Sequence, residues 1–544
     1  MHALMLTLAL IAAPAADAPG FEARLKAATG PNQLLQLEKW CLENGLADER
    51  TRVREIIGKI SLPARPSSDY AAREHARRLR DSAREQVELF LAERTTSVIT
   101  GLSDIVEWMG GRSYAPLDAR QRVLTVAHKL LDPASEQRKA LEQAVADLPD
   151  AQRSATEAKS LHTQFDAKFK SVMRKFTEQM LTAVGKCITA GEAGYGFDLY
   201  RWLLQIDPDN EWARRGLGEQ KVDGVWMRPY EVMRWREGLV WDGRFGWVPR
   251  QDALRARYER GEVYDLGLKR WGSLDELNAL HANADTPWII ESEHFALHTT
   301  AELAKAAKYA ERLEAFFLQA FRQYDLFFSG TGGTKLIFGV APSQRRLKVY
   351  IYRDREQFVA HAKPPADWAA GFYSGAKKAS YFYDSGGRFS TLQHELTHQI
   401  LAEFAAGRGG HSPWVAEGAA TFLENADFEN DVLTNGGLER NWRVREYQKN
   451  VQSGAQEHPL KYMVDTFSPT GSWNQGEISK NYRGAAAVWF FLMNFDGGRF
   501  RGDTVQLLRD DYCSTLRQLD DYYGITPDGL TFLMDRYYRE CMIE

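Results

Sequence analysis

The stretch Ser390–Phe404, STLQHELTHQILAEF, contains an H-E-x-x-H motif at His394–His398. On an α-helix, residues four positions apart lie on one face with Cβ atoms about 5 to 6 Å apart, so the two imidazoles can face one metal ion. Ser390 followed by Gln393 is typical of a capping box, which predicts that the helix begins just before the motif. The stretch therefore predicts a metal-binding helix.

Glu395 is the residue that could give this helix a catalytic role. Its carboxylate would project beside the two imidazoles, where it can accept a proton from a water molecule that zinc activates and deliver it to a leaving amine. Zinc allows this because it lowers the pKa of a bound water to about 7. The motif is expected by chance about 0.02 times in a chain of this composition, so a third ligand is needed to support a zinc site.

The residues after the motif restrict the class of zinc site. A metzincin requires a glycine and a histidine at fixed short offsets, and this chain has Leu401 and Phe404 at those positions. That class is therefore excluded. His411, in the loop GRGGHSPW, could reach an ion, but its glycine-rich setting is more typical of a surface loop.

The strongest candidate for the third ligand is Glu417, which lies 19 residues after His398. It falls within SPWVAEGAATFLEN, where Ser412 and Pro413 indicate the start of a second helix. If the second helix packs against the first, this carboxylate can complete the set of two histidines and one glutamate found in catalytic zinc sites.

This arrangement resembles the gluzincin metallopeptidases, in which the segment around the third ligand commonly reads W-x-x-E-G-x-A and here reads W-V-A-E-G-A-A. The resemblance implies that His394, His398 and Glu417 bind Zn²⁺ and that Glu395 is the general base. Within that clan, Trp288–Glu544 and the N-terminal leader resemble secreted bacterial proteins of the domain-of-unknown-function 1570 type. No particular substrate follows from the resemblance.

Three further residues are candidates for supporting roles. Thr421 and Glu424, on the predicted second helix, could orient the ligand imidazoles, and simple helix-surface roles are the alternative. Tyr482, in ISKNYRGAAAVWFFLMNF, is placed similarly to a tyrosine of gluzincin aminopeptidases, which implies a phenol that stabilises the tetrahedral oxyanion. The alternative is a packing tyrosine, since the chain has 22 tyrosines.

The segments before the motif predict an α+β fold. WIIESEHFALHTT alternates like one strand, AELAKAAKYAERLEAFFLQAFRQYD has a helical apolar face, LKVYIYRD is a strand, and AAGFYSGAKKASYFYD is a pair of strands. Zincins usually align a peptide along an edge strand that precedes the metal helix, and Tyr381–Tyr383 is the predicted edge. His294 and His298 could be ligands, although lone strand histidines are more often structural.

We expect four segments, because composition changes at three places along the chain. Residues 1–18 resemble a signal peptide, and 19–221 is a charged helical region that includes a tetratricopeptide-like hairpin. Residues 222–285 form a small β module rich in tryptophan and glycine, and 286–544 form a zincin-like catalytic domain. The tryptophans predict either a structural module or, less commonly, an aromatic ligand-binding module.

Composition and charge limit the partners of the chain. A formal net charge of −4 offers no basic surface for nucleic acid, and no segment reaches 18 consecutive apolar residues, so we expect no membrane span. The leader predicts a secreted or periplasmic protein. In an oxidising compartment, Cys513 and Cys541 could form a disulfide, with buried free thiols as the alternative.

The sequence thus predicts a secreted zinc metallopeptidase that acts on a peptide or protein substrate, with the helical region available to a protein partner. Aminopeptidases of the clan use a glutamate near a glycine-rich motif to capture the substrate amine, and GFYSGAKKASYFYD has no glutamate. An endopeptidase is therefore favoured. The alternatives are a non-catalytic binding or scaffold protein with a vestigial zincin domain, and a zinc hydrolase of a non-peptide substrate.

Overall fold

The computed structural model describes residues 20–28, 34, 37–38, 40–41, 44–61, 95–189, 193–329, 346–367, 369–386, 389–405, 411–429, 432–435, 441–469, 473 and 477–540. The expected signal peptide at 1–18 and Cys541 lie outside these residues. The described residues mix helices with small sheets, as the α+β prediction requires. They divide into two compact units: one contains residues up to 189, Arg201–Asn210 and Gln518–Gly529, and the other contains 193–200, Glu211–Arg517 and 530–540.

The first unit is helical, as its charged and apolar periodicity predicts. In its longest helix, Ala155–Thr189, buried side chains recur every three or four residues, which places them on one face: Phe165, Phe169, Met173, Phe176, Met180 and Val184. Its helices are α1 (Phe21–Ala27), α2 (Ala47–Ser61), α3 (helical residues 95–110), α4 (Leu117–Leu130), α5 (Glu136–Ala146), α6 (Ala155–Thr189) and, late in the chain, Leu519–Tyr523.

Before the tryptophan-rich segment, helix α7 (Ala193–Ile206) ends and helix α8 (Glu211–Gly216) begins on either side of Asp207–Asn210, where the sequence predicts a break between two helices. The tryptophan-rich segment then forms three hairpins separated by helices, which confirms the predicted hairpins. Its elements are β1 (Gln220–Val222), β2 (Val225–Met227), α9 (Pro229–Arg236), β3 (Leu239–Asp242), β4 (Gly246–Pro249), α10 (Asp252–Glu259), β5 (Glu262–Asp265), β6 (Arg270–Ser273) and α11 (Leu274–His281).

Two features of these hairpins follow directly from residue type. Asp223 and Gly224 both have positive φ, 50° and 83°, which is the backbone of the two-residue turn that matches strand twist in a hairpin. Trp241 and Trp247 are cross-strand partners, and their rings meet edge to face with centroids 5.2 Å apart. Aromatic pairs therefore stabilise hairpins that are too short to be stable by backbone bonding alone.

A five-stranded sheet of order β10-β11-β9-β8-β7 forms the centre of the second unit. The segment predicted as one strand, WIIESEHFALHTT, is instead a hairpin, because the chain turns at Ser292–His294 and the Ser292 amide donates to the Phe295 carbonyl. The strands of this sheet are β7 (Trp288–Glu291), β8 (Phe295–Thr299), β9 (Leu347–Tyr352), β10 (Gly371–Ser374) and β11 (Ala379–Tyr383).

The prediction of which strand forms the sheet edge next to helix α15 (Ser390–Phe404) is wrong. Tyr381–Tyr383 lies within β11, which pairs with β10 on one side and with β9 on the other. The true edge strand is β10, Gly371–Ser374, which forms the predicted hairpin with β11. Sequence alternation cannot separate the two strands of one hairpin, because both carry the same pattern.

Helices cover this sheet and continue beyond it. All six apolar positions predicted for the face of α12 are buried: Leu303, Ala307, Ala310, Leu313, Phe317 and Phe321. The remaining elements, of which α21 belongs to the first unit and α22 begins in it, are α12 (Leu303–Gln323), α13 (Asp325–Ser329), α14 (Arg355–Ala362), α15 (Ser390–Phe404), α16 (Pro413–Leu423), β12 (Ala426–Glu429), β13 (Val432–Asn435), α17 (Trp442–Gln452), α18 (Leu460–Thr466), α19 (Ile478–Gly498), α20 (Arg501–Tyr512), α21 (Leu519–Tyr523) and α22 (Pro527–Glu540). Within the described ranges, no helix combines the length and apolar character needed to cross a bilayer.

Helix α16 packs against α19 at a glycine. A Cβ atom on Gly418 would lie 3.0 Å from the Trp489 Cβ and 3.1 Å from the Ala485 carbonyl oxygen. Those distances are shorter than ordinary van der Waals contact, and the obstacle includes backbone that cannot rotate away. Gly418 therefore sets how closely α16 approaches α19.

Replacing Gly418 with alanine should destabilise the protein by about 1 to 3 kcal/mol, because the methyl group overpacks the α16–α19 contact. The matched control is Gly185→Ala, at a helical glycine where a Cβ meets nothing within 4 Å; it should stabilise by about 0.5 to 1 kcal/mol. Urea unfolding monitored by circular dichroism measures both changes. Equal stability of Gly418→Ala and the unchanged protein would contradict the packing constraint.

Candidate metal centre

Helix α15 begins at Ser390, just before the motif, as predicted, but the predicted capping box does not form. Phe389 occupies the N-cap position and no side chain caps the helix. The Gln393 amide donates instead to the Ala426 carbonyl at 2.9 Å. The helix is fixed to the sheet through Gln399, which accepts from the Ser380 hydroxyl and donates to the Lys348 carbonyl, at 2.8 and 3.0 Å.

Helix α16 begins at Pro413 with Ser412 at its N-cap, as predicted. The Ser412 amide and hydroxyl both donate to the buried carboxylate of Asp511 on α20, each at 2.8 Å. Burial raises the pKa of Asp511 to about 6, although the bonds from Ser412 oppose that shift. The start of α16 is thereby fixed, and Glu417 lies one turn further along.

His394, His398 and Glu417 bring one ligand atom each to a common point, and this is the group within the described residues with metal-ligand geometry. The His394 Nε2 lies 3.1 Å from the Glu417 Oε2 and 3.2 Å from the His398 Nε2. The third distance, from the His398 Nε2 to the Glu417 Oε2, is 3.6 Å. The structure thus brings together the three predicted ligands.

These three distances fit ligands that coordinate one metal ion tetrahedrally. Ligand atoms about 2.0 to 2.1 Å from a zinc ion in tetrahedral geometry are separated by about 3.3 Å, which lies within the observed range. The three residues therefore fit a metal ion with two imidazole ligands and one carboxylate ligand.

Glu424 orients the His394 ring. Its Oε2 lies 3.0 Å from the His394 Nδ1, and its Oε1 accepts from the Arg443 Nε at 2.7 Å. A carboxylate on Nδ1 leaves the Nε2 lone pair available for a metal and makes the imidazole more basic. This geometry is compatible with the orienting role predicted for Glu424. Arg443 holds Glu424 in turn, and no sequence pattern predicts that contact.

Thr421, the other candidate for orienting an imidazole, contacts its own helix instead. Its hydroxyl donates to the backbone carbonyls of Glu417 and Gly418 at 2.7 and 3.0 Å. Such bonds within one turn of helix are common for threonine, and they do not orient a histidine ring.

The electrostatics of His394 and Glu417 are strongly coupled. Burial alone would lower the pKa of His394, but its hydrogen bonds to Glu417 and Glu424 raise that pKa to about 10. Burial alone would raise the pKa of Glu417, but the two histidines hold it well below its ordinary value. A cation is therefore favoured at this point, and a metal ion has to displace a proton to bind there.

Glu395 is partly buried on α15 and is oriented by the edge strand. Its Oε2 accepts a hydrogen bond from the Tyr373 backbone amide at 3.0 Å. That amide points away from β11, since the β10–β11 pairing alternates from residue to residue. The carboxylate therefore lies between the two histidines of α15 and strand β10, which is an edge strand among the described residues.

Tyr482 lies close to the ligands on helix α19. Its ring centroid is 6.2 Å from that of His394, and the Arg443 guanidinium lies 5.0 Å from the tyrosine ring centroid. Burial and the carboxylates of Glu417 and Glu395 raise the pKa of Tyr482 well above its usual range. The phenol consequently keeps its proton and remains a hydrogen-bond donor at neutral pH.

None of the three other histidines considered as ligands belongs to this group, although the charges of His398 and Glu417 act on His411. His411 is exposed, and its ring centroid lies 4.7 Å from that of Tyr512. His298 stacks on Tyr350 at 4.6 Å, and His294 is paired with Glu314 through its Nδ1 at 2.7 Å. The structural roles expected for the two strand histidines match these contacts.

No protein family model matches the chain, and neither a curated protein nor a solved structure is significantly similar to it.

The His294–Glu314 pair predicts a pH-dependent contribution to stability. Burial alone would raise the pKa of Glu314, but His294 and its hydrogen bonds lower it to about 2, and Glu314 in turn raises the pKa of His294. The Glu314 contribution is present above about pH 4.3 and is lost as the pH falls toward about 2. The His294 contribution is present below about pH 6.5 and is lost as the pH rises through its raised value.

Glu314→Gln should therefore cost most stability near about pH 5 to 6 and less at more acidic or more alkaline pH. Urea titrations across that range measure the difference in the free energy of unfolding. Glu302→Gln, at an exposed glutamate next to the same helix, is the control and should show a small, flat difference. A flat difference for Glu314→Gln would contradict the ion pair.

Removing the Glu424 carboxylate should weaken metal binding about 10- to 100-fold without abolishing it, because Glu424 orients a ligand and is not one. Competition between Glu424→Gln protein and a fluorescent zinc chelator measures the affinity. Glu446→Gln is the matched control, since Glu446 also faces an arginine, Arg483, at 3.4 Å but contacts no ligand. Unchanged affinity in Glu424→Gln would show that the His394–Glu424 contact has no influence on the metal.

Proposed function

We propose that this chain is a zinc-dependent metallopeptidase that hydrolyses internal peptide bonds. The observation that supports it most is the convergence of His394, His398 and Glu417, with Glu395 one residue from the first ligand. Two imidazoles and a carboxylate from two helices leave a fourth position for water or substrate, as catalytic zinc sites require. Structural zinc sites are usually closed by four protein ligands, most often cysteines.

Zinc is the metal that this ligand set favours. Imidazole nitrogens suit zinc, copper, iron and nickel, whereas calcium and magnesium prefer an all-oxygen set. The spacing of about 3.3 Å expected for tetrahedral ligands agrees with the observed triangle, and zinc takes that geometry readily. An octahedral ion would need further ligands.

Glu395 is the proposed general base. Zinc, when bound, lowers the pKa of a coordinated water to about 7 and polarises a substrate carbonyl. The Tyr373 amide holds one carboxylate oxygen of Glu395 at 3.0 Å, so that the proton-accepting group has a fixed orientation. The same carboxyl group can then return the proton to the leaving amine.

Tyr482 is the proposed donor to the oxyanion that forms on the substrate carbonyl. The raised pKa of Tyr482 keeps its phenol protonated, and its ring lies beside that of His394, close to the proposed ligands. Arg443 stacks against the same ring and also holds Glu424, so one guanidinium supports both the proposed donor and the ring of a proposed ligand.

The free edge of β10 is the proposed substrate track. The outward Tyr373 amide and strand alternation turn the Gly371 amide and carbonyl toward the side of β10 on which no described strand pairs. An extended peptide can add there by backbone hydrogen bonds and pass beside Glu395. This mode suits a chain that continues in both directions, so an endopeptidase acting on a peptide or protein is favoured over an aminopeptidase.

The remaining parts of the function are also proposals. The leader supports a secreted or periplasmic location, and the helical first unit supports docking of a protein partner. Both are compatible with a protease that recognises its substrate partly away from the catalytic group.

The test compares metal content with turnover. Unmodified protein should contain about one zinc per chain and cleave members of a fluorescence-quenched peptide library. Glu395→Gln should keep the zinc and lose most turnover, by a factor of about 10² or more, whereas Glu417→Ala should lose both. Elemental analysis and fluorescence assays on the same preparations give the two readouts.

Glu356→Gln, at an exposed glutamate on α14, is the control and should match the unmodified protein in both measurements. Full turnover in Glu395→Gln would refute the proposed mechanism. Zinc binding without cleavage of any peptide would favour a non-catalytic scaffold or a hydrolase of another substrate, and protein without zinc after reconstitution would remove the metal site itself.

A further inference from the structure

A cavity of about 290 Å³ lies in the second unit, away from the ligand group, between the β5–β6 hairpin and strand β7. Its walls are mainly aromatic and aliphatic, and include Phe245, Trp247, Tyr264, Leu266, Leu268 and Trp288. Ligand-binding cavities are typically lined in this way, with a few polar groups that fix orientation. The volume suits one large apolar side chain rather than a whole cofactor.

The rim of this cavity exposes apolar side chains to water. Leu266, Leu268 and Ile289 are 37%, 49% and 55% exposed. Single exposed hydrophobic residues are ordinary, but three around one apolar cavity form a contiguous patch, which is typical of an interaction site.

The rim is rigid because a buried carboxylate organises it. The Asp265 Oδ1 accepts from the Gly267 and Leu268 amides at 2.8 and 3.0 Å, which fixes the turn between β5 and β6. Its Oδ2 lies 2.8 Å from the His281 Nε2, and the His281 ring packs on Trp288 with centroids 3.8 Å apart. A partner would therefore meet a preformed surface and lose less entropy on binding.

Strand β7 offers unpaired backbone beside this cavity. The Ser292 amide bonds to the Phe295 carbonyl, so strand alternation turns the amides and carbonyls of Ile289 and Glu291 away from β8. The Trp247 indole N–H, which donates to the Glu291 carbonyl at 2.8 Å, confirms that direction. Within the described residues, the Ile289 amide and carbonyl bond to no other backbone, and β7 is the end strand of its sheet.

A negative charge at the rim of the cavity indicates which side chains a binding partner would bring. Asp285 lines the cavity and is exposed, and no cation of the described chain forms an ion pair with its carboxylate. A lysine or arginine on a partner would complement it. The surface therefore combines a strand edge, an apolar hole and one negative charge.

We propose that an extended segment of another polypeptide adds to β7 as a sixth strand. It bonds to the Ile289 amide and carbonyl, inserts one large apolar side chain into the cavity, and places a lysine or arginine beside Asp285. Such strand addition takes affinity from backbone bonds and specificity from alternate side chains. It also satisfies an edge that a protein would otherwise have to protect from aggregation.

This second site is independent of the proposed catalysis. The ligand group lies beside β10, and β7 is the opposite edge of the same sheet. Four strand spacings of about 4.8 Å separate the edges by about 19 Å, so one residue cannot occupy both sites. Binding at β7 should persist in protein without metal.

The experiment uses full-length Glu395→Gln protein stripped of metal, so that no probe is cleaved. The probe is a fluorescein-labelled, end-blocked peptide, Lys-Thr-Val-Phe-Val-Thr-Lys, and fluorescence anisotropy measures its Kd. Replacing the probe phenylalanine with serine should weaken binding about tenfold or more, because the cavity then stays unfilled. Replacing both probe lysines with glutamate should also weaken it, and that difference should shrink at high salt.

Two protein variants test the geometry. Ile289→Pro removes the outward amide at an edge position that tolerates proline, and should weaken binding about tenfold, whereas Ile289→Thr keeps the amide and should stay within about threefold. Leu268→Asp should weaken binding, and Val359→Asp, at an exposed apolar residue of α14, should not. Unchanged thermal unfolding of each variant confirms that folding is intact.

Equal binding to the unchanged protein and Ile289→Pro, equal binding of the phenylalanine and serine probes, or no binding of any probe up to about 1 mM would overturn the proposal. The alternative is that a second copy of this chain occupies the β7 edge, and sedimentation of the protein without peptide tests this. A dimer that dissociates in Ile289→Pro protein would support that alternative and overturn the proposal. Because no readout depends on turnover, failure here is distinct from failure of the proposed peptidase activity.

Discussion

Negative charge concentrated around one buried imidazole is the constraint on which the rest of the second unit depends. Three carboxylates, those of Glu395, Glu417 and Glu424, lie around His394, and the nearby guanidinium of Arg443 supplies one positive charge. With neutral imidazoles, one positive charge against three negative charges leaves two negative charges, which is the complement of a divalent cation. Buried charges are costly unless they are paired, so the packing has to hold both the carboxylates and their partners in place.

The surrounding elements meet that requirement from several directions. Helix α15 is fixed to the sheet through Gln399, and α16 is fixed at its start by Asp511 and along its length by the close approach at Gly418. Helix α17 supplies Arg443 and α19 supplies Tyr482. Rigid elements rather than loops therefore carry the ligand group, which suits a site whose atoms must stay within a few tenths of an ångström of productive geometry. In the part of the chain that the structure describes, no strand pairs with the opposite edge of the same sheet, which lies beside an apolar cavity, so one sheet has two edges with different surroundings.

Prediction from the sequence was accurate where a property is local. The start of α16 at Pro413, the buried face of α12 and the hairpins of the tryptophan-rich segment all follow from spacing and residue type. Helix α15 begins where it was predicted to, although the capping box that predicted this start does not form. Prediction was wrong where a distant partner decides the outcome. Gln393 bonds to the Ala426 carbonyl and forms no capping box. The hairpin around His294 is a local feature that the alternation concealed, since Ser292 bonds to Phe295 only three residues away. The edge strand was misplaced because β11 has a neighbour, β9, that lies far away in sequence.

By itself, the sequence determined the types and spacing of the proposed ligands, since residues four apart on a helix share a face whatever surrounds them, and it placed a carboxylate next to the first of them. It also determined that a second helix carries Glu417. Only the tertiary structure decided that the three ligand atoms lie 3.1 to 3.6 Å apart, that Glu424 and Arg443 hold the His394 ring, and that the Tyr373 amide orients Glu395. Those contacts join elements that are distant in sequence, and their distances depend on packing and strand register, which no local pattern encodes.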